Sequence, residues 1–214
     1  MGTTRTFYNI FNRGFSVDEL KSGLLGMRSG IGARTDILKQ LKQIDIPVAL
    51  MTQLEQDFQS SAEHAVIGFA PSAKMLPFFN VNICEGYTAS SKDTAALSEQ
   101  FGTPVLALSV FDSDIMFVSY SDASSDVGYD YAKPNIEDLE GFEEYDADVY
   151  STGFPEFLLT MCSEAEHQKL REIWESEEYL FAEDRLYDIC QLIGGSIIYD
   201  EDDMPEGFEW IYCY

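Results

Sequence analysis

Residues Ser91–Tyr120 read SKDTAALSEQFGTPVLALSVFDSDIMFVSY, and this stretch decides the fold class. Ser91 can start a helix that carries Leu97 and Phe101 on one face. Gly102 ends it and Pro104 prevents its continuation. Two apolar runs follow, Val105–Val110 (VLALSV) and Ile115–Tyr120 (IMFVSY), each of strand length and each bounded by turn residues. The polar centre of Phe111-Asp112-Ser113-Asp114 makes the pair a predicted antiparallel hairpin beside its helix.

A similar order recurs towards the C-terminus. Leu186, Ile189, Cys190 and Ile193 share a helical face that stops at Gly194-Gly195. SIIY (196–199) and WIYCY (210–214) then flank the acidic turn DEDDMPEG (200–207), so a second helix–strand–strand module is expected. Working outward, RTFYNIFN near the N-terminus predicts a first strand, and Ser16-Val17-Asp18-Glu19 is a capping box, in which Ser and Glu satisfy amides that a helix start leaves unpaired. The helix it opens carries Leu20, Leu24 and Met27, with Gly23 and Gly26 weakening it. Thr35 can cap a further helix with Ile37, Leu38, Leu41 and Ile44 inward, and Met51, Leu54 and Phe58 favour helix again. HAVIGFA and MLPFFNVNIC read as buried strands interrupted by Pro71 and Pro77. Ser163-Glu164-Ala165-Glu166 is a second capping box, ahead of a helix with Leu170, Ile173 and Trp174 inward. Residues 121–155 lack a strong period and read as a connecting loop. Together these elements predict an α+β fold, with antiparallel hairpins covered by several helices, in one compact domain over residues 1–214.

The charge is unevenly placed. Residues 1–110 hold 10 acids and 9 bases, whereas residues 111–214 hold 28 acids and 4 bases, a net of −24 out of −25 for the chain. Self-repulsion of that size costs stability, so a use for it is expected. A solvation shell suited to high salt would spread acid over the whole chain, and the near-neutral first half argues against that. Hydrophobic residues form 45% of the sequence, enough for a real core despite the acidity. No apolar run approaches a bilayer-spanning length, and MGTTRTFYNIFNRGF shows no apolar stretch with a cleavage site, so a cytoplasmic protein is expected. Cys84, Cys162, Cys190 and Cys213 are far apart and form no C-x-x-C pair; four reduced thiols are expected.

Motifs for chemistry are weak. The glycine string GLLGMRSGIGAR, near Arg28 and Arg34, lacks both the G-K-[ST] ending and the G-x-G-x-x-G spacing of phosphate loops, and reads as a turn between helices. His64 and His167 have no spacing with the cysteines that suits zinc, and no cofactor is expected. Asp112 with Asp114, Asp122 with Asp126 and Asp130, and Asp200 to Asp203 cluster without the ligand order of a calcium loop. There is no G-x-S-x-G elbow. Direct nucleic-acid binding is disfavoured because phosphates would meet the acidic half.

The strongest binding candidate is EDLEGFEEYDAD, residues 137–148. Glu137, Asp138, Glu140, Glu143, Glu144, Asp146 and Asp148 surround Phe142 and Tyr145. Carboxylates of this density complement a cationic protein surface, and the aromatic residues can serve as anchors. In size, acidity and the style of the FDSDIMFVSY hairpin, the chain resembles the small acidic immunity proteins of bacterial polymorphic toxin systems. That resemblance implies a non-enzymatic protein that neutralises a basic toxin or nucleic-acid-binding enzyme, and it transfers no residues. The alternatives are a phage or plasmid nucleic-acid mimic that blocks a defence enzyme, a carboxylate, metal-dependent hydrolase built on Asp112 and Asp114, and a halophilic or structural protein whose acidity serves solubility.

Overall fold

The computed structural model describes residues 4–30, 65–80, 84, 90–135, 150–151 and 153–212. Its framework is a seven-stranded antiparallel sheet with the order β6-β5-β4-β1-β3-β2-β7. The strands are β1 (Arg5–Phe11), β2 (Val66–Phe69), β3 (Met75–Phe79), β4 (Val105–Phe111), β5 (Ile115–Asp122), β6 (Val127–Pro134) and β7 (Glu209–Tyr212). The near-neutral and the acidic halves of the chain both supply strands to this sheet. Four helices belong to the described residues: α1 (Val17–Gly30), α2 (Ser90–Phe101), α3 (His167–Glu175) and α4 (Ala182–Ile193). The fold is α+β, as the hairpin and helix patterns predict.

Strand alternation sorts the core into two layers. Tyr8, Ile10, Val105 and Ala107 face one side, where Leu20 and Leu24 of α1 and Leu97 and Phe101 of α2 cover them. Phe7, Leu106, Leu108, Val110, Met116 and Val118 face the other, beneath Leu170, Ile173 and Trp174 of α3 and Leu186, Ile189, Cys190 and Ile193 of α4. Both capping boxes form. Ser16 N donates to Glu19 Oε2 at 2.9 Å while Glu19 N donates to Ser16 Oγ at 3.2 Å, and Ser163 N donates to Glu166 Oε2 at 2.9 Å. The central hairpin closes through Asp114 N to Phe111 O at 3.0 Å, with Asp112 and Ser113 both at positive φ. That left-handed pair matches the twist of the flanking strands, as hairpin turns require. Gly102 and Gly194 stop α2 and α4 at φ of 58° and 76°.

Four expectations change. Residues 121–155 are not all a loop, because Val127–Pro134 forms β6 along the full length of β5, from Ile115↔Pro134 to Asp122↔Val127. Its alternation is hard to see because β6 is an edge strand in which only Ala132 is fully buried. Pro77 does not interrupt its strand. It pairs with Asn9 within the β1–β3 ladder, and the β2–β3 ladder stops at Ile67↔Phe78, next to it. The second helix–strand–strand module is incomplete, since SIIY is irregular. The Asn9 side chain holds its backbone instead, donating to Ser196 O at 3.1 Å and accepting from Ser196 N at 2.8 Å. Gly23, Gly26 and Gly30 lie within α1 and not in a turn between helices, and Gly23 and Gly26 let α2 approach closely: a Cβ on Gly23 would lie 2.2 Å from Phe101 Cε1, and one on Gly26 2.3 Å from Gln100 Nε2. The expected helix from Thr35, the residues 48–60, and Arg34, His64 and Cys213 lie outside the described residues.

Gly23→Ala tests that contact. Overpacking against the Phe101 ring outweighs the gain in helix propensity, and a loss of about 1–3 kcal/mol is expected in urea denaturation. Gly153→Ala, with open space around its Cβ, is the neutral control.

Candidate functional site

All nine candidate residues (Glu137, Asp138, Glu140, Phe142, Glu143, Glu144, Tyr145, Asp146 and Asp148) lie outside the described residues. The structure does place the two points between which they run. The chain leaves the sheet at Asn135, directly after β6, and is described again at Tyr150 and Ser151. Ser151 returns to the same edge strand: its N donates to Asp130 O and its O accepts from Ala132 N, both at 3.0 Å. The Tyr150 ring packs on Phe117 at 5.0 Å.

The departure point is held by a buried arginine that the sequence reading passed over. Arg185, on α4, has no solvent exposure. Its Nη1 donates to Asn135 Oδ1 at 2.8 Å and its Nη2 to Ser176 O, just beyond the end of α3, at 2.6 Å. Its guanidinium lies over the Tyr179 ring, 5.2 Å from the centroid. The Asp112–Asp114 turn joins the same assembly. Ser113 O accepts from Ala182 N at 2.8 Å, Ser113 Oγ donates to Glu183 Oε1 at 2.8 Å, and Asn135 N donates to Asp114 O at 2.8 Å. The guanidinium thus ties the end of β6 to the corner between α3 and α4, and Ser113 and Asp114 dock the tip of the β4–β5 hairpin on the same assembly.

That arrangement is electrostatically costly. Burial pushes the Arg185 pKa down, and among the described residues no carboxylate forms an ion pair with it. Its Nε and Glu183 Oε2 are buried without a hydrogen-bond partner among the described residues. The cation persists because a guanidinium is protonated far above neutral pH, and its Nη groups keep two hydrogen bonds. Tyr179 completes the corner. Its hydroxyl donates to Asp188 Oδ2 at 2.5 Å, and its pKa is pushed up to about 12 by burial first and by that hydrogen bond second.

Outside this hub the corner is acidic and open. Residues 172–188 contain seven acids (Glu172, Glu175, Glu177, Glu178, Glu183, Asp184 and Asp188) and one base, the buried Arg185. Glu177, Glu178 and Asp184 are exposed and form no ion pair among the described residues. Leu180, Phe181 and Tyr187 are unusually exposed beside them, at 82%, 53% and 55%. The sequence signal was present in ESEEYLFAED: a large apolar pair inside an acidic run, between two helices, with no periodic reason to be buried.

The other candidate chemistries gain little from the geometry. Asp112 and Asp114 belong to a turn docked on the start of α4, and among the described residues no group of three or more His, Cys, Asp or Glu could hold a metal ion. Asp200 and Asp203 are used locally, accepting from Asp202 N and Tyr199 N. Cys84, Cys162 and Cys190 are free thiols, and burial pushes the Cys190 pKa up to about 12, which makes that thiol inert. No helix among the described residues is long and apolar enough to cross a membrane. Comparison with protein-family models, curated proteins and solved structures returned no match.

The Tyr179 phenol is favoured in the folded state, so its contribution to stability is full below pH 10 and is lost as pH rises through about 12. Tyr179→Phe should therefore flatten the fall of stability over that window relative to wild type, read by urea denaturation at a series of alkaline pH values. Arg185→Met removes the donors to Asn135 Oδ1 and Ser176 O. A loss of about 2–4 kcal/mol is expected from the two stranded acceptors, measured by the same denaturation at neutral pH.

Proposed function

We propose that this chain is a cytoplasmic binding protein that engages and neutralises a basic protein partner, as an immunity protein does for a toxin. The observation that carries this reading is the acidic, open corner between α3 and α4, which Arg185 fastens to Asn135. Asn135 is the last described residue before the 137–148 segment, and Arg185 fastens it to the corner that presents Glu177, Glu178 and Asp184. A surface that places Glu177, Glu178 and Asp184 together, with no ion pair to them among the described residues, stores repulsion that a cationic partner relieves.

Physically, the field of the acidic half steers a basic partner into encounter, and aromatic residues that lose their water on contact slow its departure. Phe142 and Tyr145 are the proposed anchors within the segment. A nucleic-acid-binding enzyme, including a nuclease toxin, is a partner of the required charge, because its own cationic groove evolved to face phosphates. The chain itself is disfavoured as a nucleic-acid binder for the same reason.

The experiment is affinity capture from the native host, followed by binding kinetics with the captured basic protein. Changing Glu143 and Glu144 to Gln, and Asp146 and Asp148 to Asn, removes four charges at nearly constant volume. Association should slow by about tenfold at low salt and show a shallower salt dependence, because screening shortens the field that steers encounter. The melting temperature should be unchanged or higher. Tyr145→Ala should act mainly on dissociation. Unchanged association in the four-site variant would remove the segment from the interface.

A further inference from the structure

The exposed apolar residues at the α3–α4 corner have no task within the described fold. Leu180 and Phe181 project from the connection between the two helices, and Tyr187 lies on the outer face of α4. The three do not stand alone. A groove of about 610 Å³ runs between α3 and α4, lined by Ile173, Tyr179 and Tyr187 as well as Glu172, Asp188 and Lys169. Tyr179 occupies one oxygen of Asp188, and Gln168 occupies Glu172 Oε1 at 2.8 Å, so each carboxylate keeps an oxygen for an incoming donor. Lys169, near the start of α3, sits at the end of the groove away from the corner.

We propose that this corner is a docking surface for a cationic amphipathic segment of a partner protein, with Leu180, Phe181 and Tyr187 as its apolar anchors. The inference rests on the binding reading above and names the contact surface and the chemistry of its occupant. Charge decides between occupants. A second copy of this chain would bring the same seven carboxylates of residues 172–188 against themselves, and an anionic membrane would be repelled in the same way. A segment with Lys or Arg beside Leu or Phe satisfies both features at once. Its apolar side chains cover Leu180 and Phe181, and its cation enters the groove between the Tyr179 and Tyr187 rings, where an aromatic face and the Asp188 carboxylate both attract it. The surface is pre-built, since Arg185 and the Tyr179–Asp188 hydrogen bond fix the corner before any partner arrives, which lowers the ordering cost of binding.

The test is calorimetric titration of the full chain with two synthetic peptides of equal positive charge, one an amphipathic helix former of Leu, Lys and Arg, the other oligoarginine. The wild type should bind the amphipathic peptide about tenfold more tightly, as expected when a few packed anchors carry binding. Leu180→Ser with Phe181→Ser should erase that advantage and leave oligoarginine binding unchanged; Leu180→Ser alone, at the most exposed position, should reduce it without altering the melting temperature. Retention of the full advantage by the double variant would overturn this surface while leaving the binding reading intact. Failure of the wild type to bind either peptide would overturn both. A wild-type dimer in sedimentation that the double variant dissolves would overturn the inference in favour of self-association.

Discussion

Strand β4 is buried from Val105 to Val110, and a strand in that position must be covered on both faces. Leu106, Leu108 and Val110 require one layer of helix, and Val105 and Ala107 another. Its two neighbours, β1 and β5, are fixed by pairing along most of its length. From that single buried strand the layer arrangement follows: α1 and α2 close one side, and α3 and α4 close the other. A fully buried Leu, Ile or Phe contributes about 1.5–3 kcal/mol, whereas exposed ion pairs such as Arg171–Glu156 and Arg13–Glu19 are screened by solvent and add little. The core therefore sets the fold, and the ionic groups are free to be spent outside it.

The acid load is compatible with this core because it is kept at the surface. Helix α4 shows the division within one element: Leu186, Ile189, Cys190 and Ile193 face the sheet, while Asp184 and Tyr187 face out. Arg185 is the exception. It is a cation held inside the most anionic part of the sequence, bonded to a side-chain amide and a backbone carbonyl, with no carboxylate partner among the described residues. Replacement of such a group by an apolar one often costs little in itself; the penalty comes from the acceptors it would strand. Its value to the fold is geometric, since it joins three chain segments that share no backbone ladder.

Much of the fold was legible because several local signals agreed. At residues 91–120, the apolar face of the helix, the glycine stop, the proline and the polar turn all pointed the same way, and the structure follows them. Legibility failed where tertiary partners replaced local ones. Strand β6 exists because β5 offers it a complete ladder, not because VGYDYAKP alternates strongly. SIIY has strand composition but is held by the Asn9 side chain, a contact between residues 187 positions apart. The site was legible as charge: the acid-rich half and the aromatic residues among it are visible by counting. Its organising residue was not, because Arg185 lies in an acidic sequence and nothing local reveals that it is buried or that Asn135 and Ser176 lie within its reach.

The order of the strands has a consequence for how the chain reaches this state. β4, β5 and β6 are consecutive in sequence and close as two hairpins, whereas β1 must find β4 across about a hundred residues and β2 must find β7 across still more. Local pairings form quickly and distant ones slowly, so the meander of β4 to β6 precedes the completed sheet. During that interval the local β2–β3 hairpin, VIGF and MLPFF, waits with both its outer edges unpaired, the condition under which chains stick to one another. The surplus of carboxylates then repels neighbouring chains at the stage when the core is still open. The same acidity that costs the finished fold some stability thus guards its assembly against aggregation.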